Sequence, residues 1–212
     1  MSGGQAGAAS PLTAEVVALT RLSARIAAGS EADVRAACQD ALDAATPTPW
    51  VEEAILQAYL FAGFPRALNA SREWRKVSGI AAPAHEDLPA PDLHRWRLQG
   101  EQTCETVYGK FYTKLRENIR HLHPALDEWM IVEGYGKILS RPGLELRLRE
   151  LCIVAACVAT GQDRQLHSHL HGALNAGAAA AEVTATLDAL EGVVEGEALQ
   201  RARLLLARVL GK

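Results

Sequence analysis

Apolar positions recur at intervals of three and four along almost the whole chain, and the breaks in that pattern carry helix-boundary chemistry. The spacing predicts ten helices. The first spans about 13–28 and ends at Gly29, and the second about 31–45. The third opens with Thr48 as N-cap and Pro49 at the first helical position, and stops at Gly63. A fourth covers about 65–76. Pro83, Pro89 and Pro91 then fall within nine residues, which no helix interior tolerates. Beyond them the pattern predicts a long helix over 92–120 and another from Pro124 to about Gly136. A turn at Arg141-Pro142-Gly143 follows, then helices over about 144–160, 162–175, 179–192 and 197–210. The expected fold class is all-α.

These boundaries divide the chain into a tail over 1–12, an N-terminal helical half over 13–77, a proline-rich linker over 78–91 and a C-terminal helical half over 92–212. Composition agrees with helices. The 212 residues hold 38 Ala and 28 Leu against 20 Val plus Ile, with 5% aromatics, a balance that disfavours strands. A net charge of -3 argues against the basic surface that nucleic acids or anionic membranes select. The longest apolar run, Leu151 to Ala159, is far short of the ~20 residues a spanning helix needs. The first ten residues lack the charged and apolar regions of a secretory leader, so the expected location is cytoplasmic. Cys38, Cys104, Cys152 and Cys157 form no CxxC pair and read as buried reduced thiols.

Two stretches carry candidate chemistry. Glu150 stands where a charged helix start passes into the apolar run, so it is either a partly desolvated proton donor or the partner of Arg147 or Arg149. From Gln162 to His171 three histidines alternate. His167 and His171, four apart, share a helix face and offer two metal ligands where zinc takes three or four, which makes them a weak metal candidate. His169 faces the other way, on a stripe with Gln162 and Gln165. His121 and His123 read as cations at a helix C-terminus. Ala41-Leu42-Asp43-Ala44-Ala45 parallels Ala173-Leu174-Asn175-Ala176-Gly177, with Glu53 and Glu182 in comparable places and a first copy three residues longer.

The run Tyr135 to Leu144, then Arg149-Glu150-Leu151, His169, Ala173 to Gly177 and Glu182-Val183, resembles the core of the carboxymuconolactone decarboxylase family, which includes the alkylhydroperoxidase D-like proteins. The match covers about 135–185. Val51-Glu52-Glu53 through Gly63 to Ala70 resembles the helix pair that follows that core, yet here precedes it, which implies a degenerate tandem copy or a permuted domain. In the peroxidase branch, a CxxC pair reduces peroxides with a histidine and a glutamate as proton relays. His169 and Glu150 match the relays, but the cysteine positions fall on Gln162 and Gln165, which form no thiolate. The resemblance therefore implies the branch without CxxC, a decarboxylase that needs no metal or organic cofactor. It implies Glu150 and His169 as catalytic residues, with Arg141, Arg149, Gln162 and Gln165 around a small-molecule substrate. It also implies a homo-oligomer, a dimer, trimer or hexamer. The alternatives are an alkylhydroperoxidase-like antioxidant using Cys152 and Cys157, and a non-catalytic helical scaffold.

Overall fold

A computed structural model describes residues 11–84 and 90–211, and all secondary structure among them is helical. The elements are α1 (Ala14–Ala28), α2 (Glu31–Asp43), α3 (Thr48–Ala62), α4 (Phe64–Ser78), α5 (Leu93–Tyr108), α6 (Tyr112–Leu122), α7 (Pro124–Trp129), α8 (Leu146–Thr160), α9 (Asp163–Asn175), α10 (Ala180–Ala189) and α11 (Gly196–Val209). α7 runs directly into a π-helical stretch, Met130–Leu139.

The helix expected over 92–120 is two helices. Gly109 adopts φ 51° and ψ -128°, a conformation that interrupts helical hydrogen bonding, and a 3-10 turn over Gly109–Phe111 leads into α6. The helix expected to end near Gly136 continues to Leu139 through the wider π turn. His123 is a helix start rather than a C-terminal cation, because its Nδ1 accepts the Ala125 N–H at 3.1 Å. Most of the expected tail, residues 1–10, lies outside the described residues, as do 85–89 of the expected linker. Leu12, placed in the tail by its sequence position, is buried in the core.

The first and last four helices recur at a constant interval. α1, α2, α3 and α4 start at 14, 31, 48 and 64, and α8, α9, α10 and α11 start 132 residues later in each case. The connecting turns repeat as well. Thr46 N–H reaches Ala41 O at 2.9 Å, and Ala178 N–H reaches Ala173 O at 2.9 Å. Ala45 takes φ 55° where Gly177 takes φ 96°. With no insertion between the copies, Glu182 stands opposite Trp50 and Glu53 opposite Ala185, so the sequence pairing of Glu53 with Glu182 is corrected. α1 packs against α8, and a single apolar core runs through both four-helix units. The segment between them, α5 through the π stretch, packs on itself and on α9.

Candidate active site

α8 and α9 form a helical hairpin across Gly161, which places Glu150, near the start of the apolar run, beside His169. Glu150 is wholly buried and its Oε2 lies 2.8 Å from His169 Nδ1. Its Oε1 meets no hydrogen-bond donor among the described residues. Neither Arg147 nor Arg149 pairs with it: Arg147 bonds Glu182. Gly172, three residues beyond His169, makes the approach possible, since a Cβ there would stand 2.5 Å from Glu150 Oε2 and 2.7 Å from Val107 Cγ1. Phe61 at the end of α3 meets the His169 ring edge-on, centroids 5.6 Å apart, and holds its orientation.

With Nδ1 engaged, Nε2 is the nitrogen left for other partners, and His169 lines a cavity of about 840 Å³. α9 contributes Arg164, Gln165, Ser168 and His169 to its wall, one face of the helix. Leu115, Ile119, Leu126, Trp129 and Met130 line it from α6, α7 and the π stretch. Tyr59, Leu60 and Phe61 enter from the first four-helix unit. Tyr108 and Tyr135 lie in the wall with rings 6.2 Å apart. Burial pushes the Tyr108 phenol up to about 12 and raises Tyr135 well above its ordinary value, so both remain hydroxyl donors at neutral pH.

Arg141 and Arg149 do not line this cavity. Both converge on Glu53 of α3, Arg141 through Nε and Nη2 at 2.9–3.1 Å and Arg149 through Nη2 at 2.8 Å. Arg149 is wholly buried and also donates to the carbonyls of Leu144 and Arg141 and to Gln57 Oε1. Burial draws its guanidinium below the ordinary arginine value, and Glu53 opposes that shift. The expectation that these arginines hold a substrate anion is thus corrected: the protein's own carboxylate takes both, tying α3 to α8 and to the turn before it.

Gln165 stands in the cavity wall, whereas Gln162, at the exposed N-cap of α9, does not. His167 and His171 have ring centroids 5.1 Å apart on a different face. Among the described residues no group of three or more His, Cys, Asp or Glu is placed to hold a metal ion. No cysteine lines the cavity, and all four thiols are buried.

Sequence reasoning passed over Arg164, Tyr108 and Phe61. Arg164 gave no clear signal, because helical spacing groups it with His167 and His171 rather than with His169. Tyr108 and Phe61 had none, being 61 and 108 residues from His169 in a chain whose periodicity marks them only as apolar. In the first unit, Ala18 and Ala37 occupy the positions of Glu150 and His169, so this carboxyl–imidazole pair occurs once in the repeat.

Comparison with known proteins agrees with the geometry. The Carboxymuconolactone decarboxylase family matches residues 124–208, from α7 into α11. "Peroxisomal protein 2" of Schizosaccharomyces pombe is 30% identical over 139 residues, 64% of this chain and 64% of that protein. "4-carboxymuconolactone decarboxylase" of Acinetobacter baylyi is 27% identical over 86 residues, 41% of this chain and 64% of that protein. The matches thus span 64% of the length of each of these relatives. No helix among the described residues is long and apolar enough to cross a membrane. The segment holding Glu150, His169 and most of the cavity's α9 and π-helical wall is the one similar to the carboxymuconolactone decarboxylase family, so the likeness falls on the site itself.

Proposed function

We propose that this protein is a cofactor-independent decarboxylase acting on an unsaturated lactone-type carboxylate, with His169 as proton donor and Glu150 as its positioning partner. The observation that carries the reading is the 2.8 Å contact between His169 Nδ1 and buried Glu150 Oε2 at the edge of a large cavity. A carboxylate accepting the Nδ1 proton fixes the ring and directs the other ring nitrogen outward. Loss of CO2 breaks the bond between the carboxylate and the adjacent carbon, and its electron pair spreads into the conjugated lactone. Imidazolium Nε2 then delivers a proton to carbon, and solvent returns one to the ring. Tyr108 and Tyr135, kept protonated by burial, are donors suited to the enolate oxygen.

The peroxidase alternative lacks support because no thiol reaches the cavity. Four buried free cysteines suit a reducing compartment such as the cytoplasm. The family resemblance favours a homo-oligomer, which sedimentation would size.

CO2 release from a γ-carboxymuconolactone-type substrate tests the reading. Wild type turns over, and Glu150→Gln and His169→Ala each lose about 100-fold or more in kcat, the usual scale for positioned acid–base groups. Full turnover by Glu150→Gln removes the pair from the mechanism, and an inert wild type removes the decarboxylase.

A further inference from the structure

The cavity is much larger than a single lactone ring requires. At about 840 Å³ it falls in the upper part of the range of sites that enclose drug-sized ligands, ~300–1,000 Å³. Its lining is also divided. One wall is the polar face of α9, and the opposing side chains from α6, α7 and the π stretch are, apart from Glu133, aliphatic or aromatic, with Leu126 and Trp129 partly open to solvent at 47% and 60% exposure.

The charges in the lining decide the sign of the ligand's head. Glu133 is already engaged, accepting from Tyr59 Oη at 3.1 Å and Lys137 Nζ at 3.4 Å. Arg164 makes no side-chain hydrogen bond or ion pair among the described residues, in a chain where Arg141, Arg147 and Arg149 are all paired. It stands about 100° round α9 from Gln165, at the edge of the cavity-facing side, and the free cation, the amide and the proton donor all line the same cavity.

We infer that the site takes an amphipathic carboxylate, its head held by Arg164 beside His169 and an apolar extension lying along Leu115, Ile119 and Met130. The inference rests on the proposed reading for the chemistry of the head group. It adds two things: that the substrate carries an apolar tail well beyond the lactone, and that Arg164, rather than Arg141 or Arg149, is the anion-holding residue. A guanidinium at the cavity mouth meets a carboxylate with two parallel donors, while each methylene moved out of water adds affinity.

Titration calorimetry of the full chain with dodecanoate, butanoate and dodecan-1-ol tests the inference without requiring turnover. Dodecanoate is expected to bind about 100-fold or more tighter than butanoate, a conservative fraction of what eight added methylenes offer in transfer from water. Arg164→Gln should weaken dodecanoate about fivefold and leave dodecan-1-ol unchanged, since only the carboxylate meets the guanidinium. Ile119→Asp should weaken both long ligands. Glu150→Gln should keep dodecanoate binding, which separates this inference from the catalytic one. Equal affinity for butanoate and dodecanoate overturns the apolar tail, and an Arg164→Gln variant indifferent to the carboxylate overturns the head assignment. Tight dodecanoate binding without CO2 release from any unsaturated carboxylate retains the ligand class and sinks the decarboxylase.

Discussion

Gly172→Ala tests whether the Glu150–His169 pair is held as tightly as its geometry indicates. On helix propensity alone the substitution stabilises by about 1 kcal/mol, since Gly172 lies inside α9. Packing opposes this. The new methyl would sit 2.5 Å from Glu150 Oε2, 3.2 Å from its Cδ and 2.7 Å from Val107 Cγ1. Val107 is β-branched and wholly buried, so it has no alternative rotamer that opens space, and overpacking of this kind costs about 1–3 kcal/mol. Pushing Glu150 away also forfeits a buried hydrogen bond to a charged group, about 1.5–3 kcal/mol. The opposing terms leave a net loss of about 3 kcal/mol, which in a chain of this size lowers Tm by about 6–12 °C. Thermal and urea unfolding read the stability, and the imidazole Nδ1 proton resonance reads the pair itself. Gly196→Ala, where a Cβ meets nothing within 4 Å, is the control and is expected to leave stability unchanged or raised. A Gly172→Ala protein that unfolds no earlier than wild type, with the His169 resonance unmoved, would show that Glu150 and Val107 yield freely and refute the argument.

Other parts of the molecule make separate predictions. Glu53→Gln leaves buried Arg149 without its carboxylate and is expected to cost about 3–5 kcal/mol, visible as a lower urea midpoint; a loss under 1 kcal/mol would show that Arg149 finds compensation elsewhere. Burial pushes Cys38, Cys104 and Cys157 up to about 12 and Cys152 to about 11, so a disulfide reagent at pH 8 should label none of them until denaturant is added. Rapid labelling of the native chain contradicts that. Hydrogen bonds from Arg35 and then Lys76 hold buried Glu73 at about 2, below its ordinary 4.5. Its folded-state value is depressed, so its contribution to stability is complete above about pH 4.5 and disappears as pH falls toward 2. Glu73→Gln should therefore flatten the acid limb of the stability curve, and parallel curves for variant and wild type would rule the contribution out.

The helices were legible because each writes its buried face into its own sequence. The interval of three and four places the starts of α1, α2 and α8 within two residues of the observed ones, and Gly29 and Gly161 mark the ends of α1 and α8. The pairing of Glu150 with His169 was legible for a related reason: the residues are 19 apart across one tight turn, so two packed helices in sequence bring them together. The break at Gly109 was not, since one glycine within a run of good helix formers is compatible with a continuous helix until packing on α9 selects its positive φ. The repeat was visible only in fragments, one Ala-rich turn and the family-like stretch from Val51 to Ala70, because most facing positions between the copies differ, Ala18 for Glu150 and Ala37 for His169 among them.

By itself, then, the sequence determined an all-α chain, a family resemblance and the closeness of Glu150 to His169, all readable from local periodicity and short connections. The tertiary structure alone decided the assignment of the charges and the shape of the site. Arg141 and Arg149 look as available in sequence as Arg164. Glu53, 88 and 96 residues distant, occupies the first two and leaves the third unpaired. Phe61 and Tyr59 reach the cavity because the first four-helix unit packs against the second, and α6 and α7 supply its apolar wall. A side chain's burial face is set within a turn or two of its own helix, but its partner is set by which distant helix packs there, and that is a property of the assembled core.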